Sequence, residues 1–514
     1  MLDLLRQRST QVKDETGLRR FMDEFEKRWE EHMNISTRLN YERLTTKKPN
    51  PRLAELEQNL AEVFRSVELK ELVGEFRSRI KDQRLARRLE CYWTLILKHQ
   101  VEGDAEVIRL RTKVSDAIMA YRYPVDGQEH TVSDIRHILR YEKDRERRRR
   151  AWYCESPLAE NLRPFMLDLY RRRNHLAREM GYAHSYELAL ELQENEFDAT
   201  RNLITRLLEE TEEEYQAVLA EKADKAGLKG ELEPWDIQFL LEGGEGMDES
   251  FFPKSQLTPS LEAFARLHGV PMDELNIKPE YFDIPWNGVC LWVEDRKDIR
   301  IICNPQDGFT YYSTMFHELG HGLHCALNNQ PEMAFQGDPS PSAEGMAEVF
   351  GYFSRSPQWL ADIGMSADAI DSTLRAAVAP WLFFIRQRSA LGLFGFEAYL
   401  NPEQDLDEKL GEIFAKVTGC RAEATPRWSA NSWFIGTTPW INYIIADMVA
   451  SQVHQAFRDR FGELYGNPEW VTFLKDNFMA LGTSVPWRKK LENCTGSDLQ
   501  TESLIQDIKQ AVRR

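Results

Sequence analysis

The sequence predicts a mostly α-helical protein with one small β-sheet, and three observations carry that expectation. Apolar residues recur every three or four positions through the first third of the chain, as Phe21, Phe25 and Trp29 do, which is the period of a helix with one buried face. Only one pair of neighbouring segments is rich in β-branched residues, Val289–Val293 (VCLWV) and Ile299–Cys303 (IRIIC). After Gly308 the helical pattern returns and runs to the end of the chain.

In order, Leu53, Leu56, Leu60 and Val63 repeat the helical spacing. Residues 135–151 (IRHILRYEKDRERRRRA) are dense in arginine. Such a stretch is either an anion-binding patch or a solvated helix face with Glu–Arg pairs, and the interleaved acids favour the second. Helix is expected from Arg163 to Leu192. A break is expected over Gly227–Gly246, and loop over 270–286, which holds Pro271, Pro279 and Pro285. The linker EDRKD joins the two β-rich segments as a hairpin.

The chain has 514 residues, enough for two or three lobes. With 42% hydrophobic and 29% charged residues it has the composition of a globular protein. The net charge of −17 argues against a nucleic-acid partner. Its longest apolar run, Ala376–Ile385, is too short to span a bilayer, so no membrane association is expected. Seven cysteines without a C-x-x-C pair read as reduced thiols of a cytoplasmic protein. The charged N-terminus lacks the apolar core of a secretory signal.

Chemistry concentrates at 316–324, FHELGHGLH. His317 and His321 are four apart, so a helix places both imidazoles on one face. At that spacing they can reach one ion at about 2.0–2.1 Å each. Glu318, beside the first histidine, sits where a carboxylate can take a proton from water activated by a metal. The motif follows a candidate edge strand. A second acidic helix, PSAEGMAEVFGYF, comes next, and Glu344, 23 residues after His321, has room to return as a third ligand. Two His, one Glu and an open fourth position are the mark of a catalytic zinc site. Glu348, one turn on, is either the acid that orients a ligand histidine or itself the ligand. With three ligands present, His324 reads as a packed helix histidine. Gly320 and Gly322, poor helix formers, suggest close packing of another element.

At these residues the sequence resembles the gluzincin oligopeptidases. HELGHGLH is similar to the active-site helix of the thimet oligopeptidase and oligoendopeptidase F group. AEGMAEVF resembles the third-ligand helix of that group and of the angiotensin-converting-enzyme-like group. KDIRIICNPQDGFTYYSTMFHELGH resembles the strand-then-helix run of the latter, and WFIGTTPWINYIIAD, 433–447, its segment carrying a transition-state tyrosine. The resemblance extends over roughly 130–460. It implies one Zn²⁺ per chain, hydrolysis of short peptides, Glu318 as general base, Glu344 as ligand with Glu348 behind it, and Tyr443 as oxyanion donor. Read from residues alone, Tyr443 is a core aromatic on an apolar helix. The resemblance also implies a two-lobed helical ellipsoid with a deep central channel and the small sheet near the zinc site. Residues 1–125 would form a helical lid region and 126–514 the catalytic region, with lobes interwoven.

Departures from the pattern bear on the substrate. Trp433 stands where the converting-enzyme group has a substrate-binding histidine, and Asn442 where it has an arginine tied to chloride. Trp433 and Trp440 are therefore candidate substrate contacts. So are Gly288 and Val289, where an extended peptide could add to the strand. Rival readings are a zinc amide hydrolase acting on a modified peptide or small molecule, a metal-binding protein without catalysis, and a helical scaffold.

Overall fold

The computed structural model describes residues 1–243, 247–284, 286–294, 297–304, 306–420 and 426–514. Gly246, Pro285 and the linker residues Asp295 and Arg296 lie outside them. Among the described residues helices dominate, and five strands accompany them: β1 (Tyr123–Val125), β2 (Gln128–His130), β3 (Ile277–Tyr281), β4 (Gly288–Glu294) and β5 (Asp298–Cys303). The chain divides into two compact units. The first comprises Met1–Gly103, Glu249–Ser366 and Ala446–Gln500; the second comprises Asp104–Asp248, Ala367–Ile445 and Thr501–Arg514. Residues 1–103 of the stretch 1–125 fall in the first unit and those from Asp104 in the second.

In the first unit, helix Glu15–Thr46 begins at Asp14, whose carboxylate accepts the Gly17 N–H at 2.7 Å and satisfies an end donor. Its buried residues Phe25 and Trp29 pack with Phe64 and Tyr92. Inside this aromatic core Arg88 pairs with Glu26 at 2.9 Å. The other Glu26 oxygen accepts the Met333 N–H at 2.7 Å, and Arg84 bonds both Glu332 and Gln330. The N-terminal helices therefore hold the connection between helices Phe309–Leu327 and Ser340–Gly351.

The three-stranded sheet has the order β3-β5-β4. β4 and β5 form the expected hairpin, with Val289 opposite Ile302, while β3 runs parallel to β5 with Ile277 opposite Ile299. Two expectations are corrected here. The strand preceding the histidine helix is the central strand, not an edge, and the proline-bearing stretch 270–286 contains β3. Pro279 is tolerated because β3 pairs, among the described residues, with β5 alone, and a missing N–H on its other side breaks no ladder. Gly322 of helix Phe309–Leu327 lies over this sheet; a Cβ there would stand 3.3–3.6 Å from the methyls of Ile277, Ile301 and Ile299.

The second unit holds a hairpin that the helical reading of this stretch overlooked. β1 and β2 are joined by Asp126 and Gly127, both at positive φ, 55° and 77°, the type I′ turn that Asp-Gly favours. The arginine-dense stretch is two helices, Val132–Tyr141 and Arg145–Tyr153. Its charges are matched: Arg148 and Arg145 bind the buried Asp236, and Arg147 and Arg150 bind Asp126. Asp236 belongs to helix Pro234–Glu242, which occupies much of the expected break. The apolar run 376–385 is part of helix Ala367–Leu400. Among the described residues, no helix is long and apolar enough to cross a membrane.

Candidate metal centre

Helix Phe309–Leu327 starts at Gly308, whose φ of 129° strains any residue with a side chain. The Glu249 carboxylate accepts the Phe309 N–H at 2.7 Å, a negative charge where the helix end favours one. On this helix the rings of His317 and His321 lie 4.8 Å apart at 83°. Helix Ser340–Gly351 packs against it, and Gly320 is the residue that lets the backbones touch. A Cβ at that position would stand 2.7 Å from Ala347 Cα and from the Met346 carbonyl oxygen. The partners run in opposite order along the two helices, His317 with Glu348 and Gly320 with Ala347, so the helices are antiparallel.

This packing brings Glu344 Oε2 to 3.4 Å from His317 Nε2 and 3.7 Å from His321 Nε2. One ligand atom of each of the three residues lies within 4.8 Å of the other two. Bonds of about 2.0–2.2 Å to a tetrahedral ion place ligand atoms about 3.3–3.6 Å apart, so the two separations of Glu344 from the histidines are close to those of such a site. Charge points the same way. Three carboxylates, Glu318, Glu344 and Glu348, surround two imidazoles, and Glu344 Oε2 is buried with no hydrogen bond among the described residues. Burial works against a charge on either partner. Even so, Glu348 and Glu344 push the His317 pKa above the ordinary histidine range, and His317 and His321 hold Glu344 well below the usual carboxylate range. A cluster that draws protons onto its imidazoles is one that a cation suits.

Glu348 Oε1 lies 3.1 Å from His317 Nδ1, on the side of the ring away from the cluster. Glu318 is 6% exposed. Its Oε2 is buried and makes no hydrogen bond among the described residues, and burial pushes its carboxyl pKa up. Gly288, at the start of β4, lies directly against it. A Cβ there would come within 2.5 Å of Thr314 Cγ2 and 2.9 Å of Glu318 Oε1, so a side chain at this position would displace Thr314 and this carboxylate. Val289 follows on β4, whose ladder partner among the described residues is β5 alone.

His324 is outside the cluster and bonds Asp338 at 2.9 Å. Trp433, Trp440 and Tyr443 form a separate group in the second unit. The two indoles stack at 4.6 Å, Trp433 meets Tyr443 edge-on at 5.8 Å, and the Arg388 guanidinium lies 4.2 Å from the Tyr443 ring centroid. Pro439 opens the helix that bears Tyr443. Trp440 Nε1 and Asn442 Oδ1 are buried with no hydrogen bond among the described residues. Asp338, bonded to His324, and Lys490, bonded to Asp338, carry no motif of their own in the sequence. The one signal was the leftover histidine of HGLH.

No family model matches the chain. It is similar to Oligopeptidase A of Salmonella typhimurium, with 24% identity over 426 residues. The alignment covers 67% of this chain and 62% of that protein, so the chain spans less than two thirds of the length of the curated relative it matches.

Proposed function

We propose that this chain is a zinc-dependent metallo-oligopeptidase that hydrolyses peptide bonds in short peptides. His317, His321 and Glu344 would hold one Zn²⁺ per chain. The observation that carries the reading is the convergence of these three ligand atoms within 4.8 Å of one another, beside a buried carboxylate with an oxygen that makes no hydrogen bond among the described residues. Similarity to a protein named Oligopeptidase A supports a peptide substrate. All seven cysteines are free thiols, which supports a cytoplasmic setting.

Bound there, Zn²⁺ would supply Lewis acidity, polarising a carbonyl oxygen and lowering the pKa of water to about 7. Glu318 accepts the proton of the attacking water and passes it to the leaving amine. Burial suits it to both steps, since a raised pKa brings a carboxylate closer to the operating pH. Glu348 holds His317 through Nδ1 and so leaves Nε2 for the metal. The edge of β4 that has no ladder partner among the described residues, from Gly288 and Val289 onward, offers backbone groups to an extended peptide. On the resemblance of 433–447, Tyr443 is the donor to the developing oxyanion, and Trp433 and Trp440 touch substrate side chains.

Elemental analysis after mild dialysis, read together with turnover of a mixed peptide library by mass spectrometry, tests this function. One zinc per chain and cleavage of short peptides are expected. Stoichiometry near zero that added zinc does not restore would overturn it.

A further inference from the structure

Below the metal cluster, on the same helix, lies a second buried polar group that the proposed reaction does not use. His324 Nε2 donates to Asp338 Oδ2 at 2.9 Å. Lys490 Nζ binds both Asp338 oxygens, at 2.9 and 2.7 Å, and the Gly482 carbonyl at 3.1 Å. Ser342 Oγ completes the shell of Asp338 at 3.2 Å. The side chains of Asp338 and Lys490 are fully buried. Gly482 is fixed as glycine, with φ 47° and with the Phe335 carbonyl oxygen 1.9 Å from where a Cβ would stand.

Burying a lysine and an aspartate together seldom stabilises a fold over an apolar core of the same volume. What such a pair does supply is a fixed geometry. Here it falls at a telling place. His324 is one turn beyond His321 on helix Phe309–Leu327, and Asp338 immediately precedes Pro339, from which helix Ser340–Gly351 starts. The two helices are thus joined at three levels: His317 to Glu348, the backbone contact at Gly320, and His324 to Asp338. His321 and Glu344 lie between the outer two. We propose that Lys490, Asp338 and His324 form a clasp that fixes the separation of the two ligand-bearing helices, making His324 and Asp338 positioning residues for the metal. This rests on the metal reading above.

The zinc dissociation constant is measured on the full chain by competition with a chelator, and the visible spectrum of the Co²⁺-loaded protein is recorded, for wild type, His324→Gln and His324→Asn. Glutamine reaches as far as Nε2 and keeps a donor for Asp338; asparagine is one carbon too short. Expected is a zinc affinity about 10–100-fold weaker in His324→Asn with an altered Co²⁺ spectrum, and for His324→Gln an affinity less than about 10-fold below wild type, short of the loss of such a partner. The clasp is overturned if both variants bind zinc as wild type does with unchanged spectra, even where melting of the metal-free protein is lowered. A wild-type chain that binds no zinc would instead overturn the metal reading, so the two failures are distinct.

Discussion

Helix Phe309–Leu327 carries two buried clusters of histidine and carboxylate, and they differ in how completely their polar atoms are matched. Beside His324 both oxygens of Asp338 are filled, because they receive a histidine, a lysine and a serine. Around His317 and His321 the account stays open, with Glu318 Oε2 and Glu344 Oε2 buried and making no hydrogen bond among the described residues. Interior polar groups are nearly always satisfied, so the open cluster is the one shaped for something that arrives from outside. The closed one reads as scaffolding. A histidine beside an acid is therefore not a site by itself; the unfilled acceptor is what separates the two.

The largest effect that would break this comparison is at Glu318. Glu318→Gln should keep zinc and fold yet lose hydrolysis by several orders of magnitude, since an amide does not accept the proton. Near-normal turnover at saturating zinc would remove the general base. The closed cluster should respond in stability instead. Lys490→Met leaves Asp338 charged, buried and uncompensated, and should cost about 3–5 kcal/mol in urea unfolding; an unchanged midpoint would show that the cluster is not closed by this lysine.

Tyr443→Phe sharpens the contrast in the second unit. If the phenol serves the oxyanion, kcat falls roughly 10²–10³-fold with little change in KM. Reduced thermal stability with normal kcat would assign it to the aromatic group of Trp433 and Trp440. The smallest effect is at the hinge of the two clusters. Gly320→Ala sets a methyl against the Ala347 backbone and should cost about 1–3 kcal/mol, with zinc binding weakened alongside. A variant as stable as wild type would mean that the helices can part without consequence.

Much of this was legible in the sequence because it is local. The spacing of Phe21, Phe25 and Trp29 sets a buried helix face within two turns, and His317 and His321 share a face for the same reason. The β4–β5 hairpin is read from its own residues, and the Asp-Gly turn at 126–127 was equally local, a signal present but passed over. β3 was hidden because the prolines in and around it signal loop, and only its place at the sheet edge makes Pro279 harmless. The partners of His324 were beyond reach in principle. Asp338 is 14 residues away and Lys490 is 166, and no periodicity links them. What the sequence by itself determined is the helical class and the pair of histidines, since both follow from backbone geometry over a few residues. That Glu344 reaches both histidines while Glu348 reaches His317 from its other nitrogen, that Gly288 lies on Glu318, and that the aspartate bonded to His324 is closed off by a lysine were decided only when distant segments packed, because interior polar groups must find partners wherever the fold puts them.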